Sequence, residues 1–89
     1  MLFKLHQNYP NPFNPSTVIS YQLPENSTVK LQVFDMLGRE VATLANNERK
    51  TAGSHQATFD AGNLSSGVYI YRLSTNSGVQ LTQKMLLMK

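Results

Sequence analysis

The sequence predicts an all-β domain, an antiparallel β-sandwich of about seven short strands, and three observations carry that prediction. Several runs of strand length alternate apolar with polar residues, the pattern of a strand buried on one face. Turn chemistry recurs between the runs, at Pro24-Glu25-Asn26-Ser27, Asp35-Met36-Leu37-Gly38, Ala61-Gly62-Asn63 and Asn76-Ser77-Gly78. No segment carries the apolar spacing of an amphipathic helix. A small barrel is the alternative closure of the same strands.

Taken in order, residues 1–7 read as a linker remnant ahead of a domain spanning 8–89. Asn8 to Ser16 holds three of the four prolines, so it is expected to be extended and stiff without being a central strand. Its two large apolar side chains, Tyr9 and Phe13, are expected to anchor it to the domain. Thr17–Leu23 alternates with Ile19, Tyr21 and Leu23 on one side. Thr28–Phe34 alternates again, with Val29, Leu31 and Val33 inward and Lys30 and Gln32 outward. In the next turn Asp35 is placed to accept local backbone N–H bonds, and Gly38 to take a left-handed conformation.

Arg39–Leu44 forms the following strand, and the spacing of Val41 and Leu44 implies a bend or bulge. Ala45–Gly53 is polar and aperiodic, and is expected to be the longest loop. Ser54–Asp60 puts His55, Ala57 and Phe59 on one face, after which Leu64 plugs the core. The organising element is the last hairpin. After Ser65-Ser66-Gly67, the side chains of Tyr69, Tyr71 and Leu73 share one face, and those of Val68, Ile70 and Arg72 the other. Val79–Lys89 returns as a strand to the last residue, so the C-terminus is expected to be built into the sheet.

Composition removes several classes of function. The 89 residues make one small domain, and the absence of cysteine excludes a disulfide framework or thiolate metal site. The net charge of +3 comes from scattered residues. Only Arg49 and Lys50 are adjacent, with no aromatic interleaved to stack a base, so a nucleic-acid surface is rejected. No apolar run approaches membrane-spanning length, and Met1–Leu5 is too short for a signal peptide. An exported parent would carry its export signal elsewhere, or this domain would be that signal.

The chemistry of catalysis is also missing. His6 lies in the linker-like start, and His55 falls on an inward face, where a hydrogen-bonded structural role suits it better than that of a base. Ser65-Ser66-Gly67 lacks the G-x-S-x-G pattern and reads as a turn entering a strand. Asp35 and Asp60 belong to turns rather than to an Asp-rich calcium loop, and no glycine-rich phosphate loop is present. Asn26-Ser27-Thr28 and Asn63-Leu64-Ser65 match the glycosylation sequon, a pattern common by chance. The chain is therefore expected to be no enzyme and to need neither metal nor cofactor.

Four segments, in order, carry a resemblance: Asn8-Tyr9-Pro10-Asn11-Pro12-Phe13-Asn14-Pro15-Ser16-Thr17, Val33-Phe34-Asp35-Met36-Leu37-Gly38-Arg39-Glu40-Val41, Ser66-Gly67-Val68-Tyr69-Ile70-Tyr71-Arg72-Leu73 and Lys84-Met85-Leu86-Leu87-Met88-Lys89. Together they resemble the type A C-terminal sorting domain of the type IX secretion system (the Por secretion system), over about residues 8 to 89. The resemblance implies an immunoglobulin-like sandwich at the end of a larger secreted protein of a Gram-negative bacterium. Its cargo reaches the periplasm by an ordinary N-terminal signal, and the outer-membrane translocon then recognises the folded domain. The resemblance further implies that a sortase-like cysteine peptidase cuts in the linker before the domain, and that the cargo is attached to the cell surface or released.

Carried over residue by residue, the resemblance assigns translocon recognition to Gly67, Tyr69, Lys84, Met85 and Lys89. It assigns Pro10, Asn11 and Pro12 to an element just after the processing region, with cleavage before Asn8. Gly67 and Tyr69 also have a folding role available, as a special turn and a core ring. Lys84 and Lys89 have less structural reason to flank an apolar strand, beyond protecting an edge from aggregation. If the last strand lies at a sheet edge, its unpaired main-chain groups are open to strand addition by the translocon, and edges also permit weak self-association. Two rival functions share the pattern. A structural module of the flagellar hook-capping type would be flanked by further sequence, whereas a sorting domain is expected to end its parent chain near Lys89. A carbohydrate-binding accessory domain needs a strip of exposed aromatics, and the chain has no tryptophan.

Overall fold

A computed structural model of the protein describes residues 2–89. Seven strands form in it: β1 (Lys4–Leu5), β2 (Ser16–Leu23), β3 (Ser27–Phe34), β4 (Glu40–Lys50), β5 (Gly53–Asp60), β6 (Gly67–Thr75) and β7 (Gln80–Leu87). They make two antiparallel sheets, one in the order β1-β2-β5 and the other in the order β4-β3-β6-β7. The chain passes between sheets from β2 to β3, β4 to β5 and β5 to β6, which is the connectivity of an immunoglobulin-like sandwich. Among the described residues no strand pairs across the two sheets, so the barrel is set aside.

Alternation places the core where the sequence predicts it. Thr17, Ile19, Tyr21 and Leu23 of β2 and Phe59 of β5 face Val29, Leu31 and Val33 of β3, Tyr69, Tyr71 and Leu73 of β6, and Met85 and Leu87 of β7. The turn between β3 and β4 forms as its residues require. Asp35 Oδ1 accepts from the main-chain N–H groups of Leu37 at 2.9 Å and Arg39 at 3.0 Å, while Gly38 takes φ +83°. The anion these bonds stabilise keeps the Asp35 carboxyl below its usual value, the Arg39 N–H first and its guanidinium after.

Four expectations are corrected. Ala45–Gly53 is no loop, because β4 continues to Lys50 and pairs its far end with β3 through Ser27↔Lys50, Thr28↔Arg49 and Val29↔Glu48. Three register shifts interrupt that ladder, and each extra residue reverses the in–out parity of the side chains. Apolar periodicity therefore vanishes although main-chain pairing persists, and the polar residues suit an edge strand. Gln32 points away from the core, as expected, but is only 6% exposed. The Arg72 guanidinium and the Glu40 carboxylate lie across it, with its Nε2 donating to Glu40 Oε1 at 3.0 Å. The Tyr9 side chain does not anchor its segment, since the residue is 80% exposed, whereas Phe13 is 2% exposed. The last strand stops at Leu87 rather than running to Lys89.

Residues 3–7, ahead of Asn8, pack as part of the sandwich. Lys4 pairs with Gln22 and Leu5 with Tyr21, and the Leu5 side chain is buried. Tyr71 Oη donates to the His6 carbonyl at 2.6 Å, and Gln83 Nε2 donates to the Leu5 carbonyl at 3.1 Å. These bonds run from the second sheet to β1 of the other sheet and the residue that follows it, closing one side of the sandwich.

Candidate functional site: the terminal hairpin and its strap

The β6–β7 hairpin collects most of the residues singled out in the sequence. Gly67 opens β6 opposite Leu87, with φ +154°. A Cβ there would meet nothing within 4 Å, so glycine is required by the backbone conformation and not by space. Two residues on, Tyr69 buries its ring opposite Met85, and its Oη donates to the Ser65 carbonyl at 2.7 Å. That bond, from a tyrosine near the start of a strand back to the preceding backbone, is the tyrosine corner of immunoglobulin-like sandwiches. The G-x-Y spacing thus has a local cause: glycine permits the entry and tyrosine pins it.

Met85 is 1% exposed and Tyr69 7%, so both side chains belong to the core. Lys84 is exposed, sits opposite Ile70 and has no carboxylate partner among the described residues. Lys89 is held by two bonds: its N–H donates to Ser66 Oγ at 3.0 Å and its Nζ to the Gly62 carbonyl at 2.8 Å. It therefore ties the end of the chain to the β5–β6 connection.

The proline-rich segment, residues 8–15, is a strap across the open side of the hairpin. At its start Tyr9 exchanges main-chain bonds with Val18 of β2, at 3.0 and 2.9 Å. At its middle it reaches β7 of the other sheet. Phe13 N–H donates to the Leu86 carbonyl at 3.0 Å, Met88 N–H donates to the Phe13 carbonyl at 3.0 Å, and Leu86 N–H donates to Asn11 Oδ1 at 3.0 Å. Gln7 Nε2 adds a bond to the Lys84 carbonyl at 2.6 Å. Phe13 pushes its ring into the core against Phe59, with centroids 6.2 Å apart. The sequence therefore brings Asn11, Lys84 and Met85 to one edge, while Pro10 and Pro12 stay exposed on the strap above it.

Asn8 is a residue the sequence placed at the head of a motif without a role. It is 3% exposed, and its Nδ2 donates to Thr17 Oγ1 at 3.0 Å and to the Pro10 carbonyl at 3.1 Å, while Thr17 Oγ1 donates to the same carbonyl at 2.8 Å. Asparagine supplies both donors that bend the strap over β2; its position before an apolar–proline pair was the available signal. Burial pushes the Tyr71 hydroxyl up to about 12, against a smaller downward pull from the Asn8 main chain.

The remaining candidates stay structural. His55 stacks on Tyr21 at 5.5 Å and its Nε2 bonds the Thr51 carbonyl at 2.7 Å. Asp60 Oδ1 accepts from Gly62 N–H at 2.9 Å. No group of three or more possible metal ligands occurs among the described residues, and Tyr9 is the one fully exposed aromatic among them. No helix of the described residues is long and apolar enough to cross a membrane.

A hairpin, a corner tyrosine and a strap from the other end of the chain define a sandwich module whose two ends are fastened to each other. The family model described as "Secretion system C-terminal sorting domain" matches residues 7–88, and the chain belongs to that family, the C-terminal sorting signals of type IX secretion. Such a signal is joined to a cargo, and its parent is a secreted or cell-surface protein. Among solved structures, CopC from Methylosinus trichosporium OB3b is similar in fold, with a TM-score of 0.54 at 16% identity over 97% of this chain and 91% of that one. No curated protein matches the chain.

Proposed function

We propose that this domain is the address label of a larger cargo, read by the type IX outer-membrane translocon after the cargo has reached the periplasm. The family match over residues 7–88 carries this reading. A sortase-like cysteine peptidase then removes the domain, and the cargo is attached to the cell surface or released; the domain itself catalyses nothing. Within the label the roles divide by exposure. Gly67, Tyr69 and Met85 shape the hairpin from inside, while Lys84 is presented to the partner and Lys89 fastens the end of the chain. Pro10, Asn11 and Pro12 set the strap. Leu5 is core and β1 is paired, so cleavage falls upstream of Lys4 rather than directly before Asn8, because a peptidase needs unpaired chain.

The test is a periplasmic reporter fused ahead of residues 1–89 in a bacterium with a type IX system. The expected result is reporter at the surface or in the medium, shortened by loss of the domain. A folded fusion that stays in the periplasm, intact, refutes the reading.

A further inference from the structure

The strap covers only part of the β7 edge. Cross-strand pairing places Leu86, Lys84, Thr82 and Gln80 opposite Val68, Ile70, Arg72 and Ser74. The bonds from Leu86 to the strap and from Lys84 to Gln7 show that these even-numbered residues turn their main-chain groups away from β6. The strap meets both groups of Leu86, and Gln7, just ahead of it, meets the carbonyl of Lys84. Farther along, the outward groups of Gln80 and Thr82 and the N–H of Lys84 take no main-chain hydrogen bond, since β7 ends its sheet and the neighbouring β1 is tied to it through the Gln83 side chain. Beside this stretch lies a hollow of about 430 Å³ lined by Gln7, Ile70, Thr82, Gln83 and Lys84.

We propose that the open edge from Gln80 to Lys84 takes an added β-strand from the secretion machinery, continuing the line the strap begins. The deduction rests on the reading of the chain as a sorting signal, and it names where that signal is touched. An edge with alternate outward N–H and C=O groups is satisfied by another extended main chain. The bonds of Phe13 to Leu86 and Met88 show that this same edge already accepts one. Side-chain chemistry narrows the partner. Ile70 in the hollow favours an apolar residue, and the unpaired Lys84 ammonium, with Lys4 on the neighbouring β1, favours a carboxylate. The partner strand is thus extended, apolar at one position and acidic near it. The tail beyond Lys84, by contrast, is occupied by the strap and by core contacts of Met85 and Leu87.

Thr82→Pro tests this. Its N–H points away from β6, so proline removes a donor the ladder does not use and places a ring in the path of an incoming strand. With the reporter fused ahead of residues 1–89, the wild type is exported and T82P, shown by circular dichroism to fold, falls to background. Export of folded T82P at the wild-type level overturns the edge proposal and leaves the sorting role standing, whereas failure of the wild type to be exported removes the sorting role itself. Should T82P not fold, a photo-cross-linking residue at position 82 decides, compared with one at position 56 on the edge of the other sheet. Cross-links from 82 to an outer-membrane translocon subunit, and none from 56, support the proposal. Cross-links from 82 to a second copy of the chain alone, from 56 alone, or from neither, overturn it.

Discussion

Replacing Phe13 by alanine asks whether the strap is structure or ornament. The ring is 2% exposed and packs on Phe59, so truncation removes about 100 Å² of apolar surface from the core, worth ~2.5 kcal/mol at ~25 cal/mol per Å². A residual cavity of about 80 Å³ adds up to ~2 kcal/mol at ~24 cal/mol per Å³, less to the extent that the site collapses. The expected loss is ~3–4 kcal/mol, against a total of ~4–13 kcal/mol for a chain of this size. The midpoint of thermal unfolding should drop by roughly 15–25 °C. Tyr9→Ala is the internal control, because that ring is exposed and its loss should stay within about 0.5 kcal/mol. Urea unfolding of both variants gives the numbers, and hydrogen exchange at the Met88 amide reports whether its bond to the Phe13 carbonyl opens. A Phe13→Ala cost below ~1 kcal/mol, or a Tyr9→Ala cost as large, refutes the account of the strap.

Two further outcomes follow from the hairpin. Tyr71 is neutral in the fold up to a pKa of about 12 and titrates near 10.0 when unfolded, so its contribution is fully present below pH 10 and is lost as pH rises to 12. The shift corresponds to roughly 2–3 kcal/mol; in urea titrations at increasing pH, Tyr71→Phe should flatten most of that alkaline decline, leaving the smaller share of Tyr21, whose hydroxyl is also pushed up, by burial first. At neutral pH the same variant should cost ~1–2 kcal/mol through the His6 carbonyl left without its donor, and an unchanged alkaline slope would reject the assignment. Gly67→Ala should cost ~1–3 kcal/mol through backbone strain alone, since the added methyl has room; a urea midpoint equal to wild type would show that the entry into β6 relaxes freely.

What the sequence states, it states through short-range chemistry. Alternation in β2, β3, β5 and β6 identified their inward residues, since period two is a local property of an extended chain. Asp35 and Gly38 announced their turn because each bonds or bends within four residues. The motifs at both ends were legible as resemblance, and the family match bears that out. By the same logic, the strand through Asn46–Lys50 was hidden. Its pairing comes from β3, about twenty residues away, and its bulges erase the side-chain period that sequence reading depends on. Lys4–Leu5 was hidden for a related reason: a two-residue strand has no period, and only Gln22 and Tyr21 make it one.

The candidate site divides along the same line. By itself the sequence determined a cysteine-free, all-β chain with an apolar final strand and a Gly67–Tyr69 signature whose cause lies within five residues. Only the tertiary structure decided which part of that final strand is open. Asn11 and Phe13 lie more than seventy residues from Leu86, and no local pattern reports that they lie across its edge. Main-chain hydrogen bonds are indifferent to side-chain identity, so where distant segments meet is settled by packing of the whole sandwich, with Phe13 in its core.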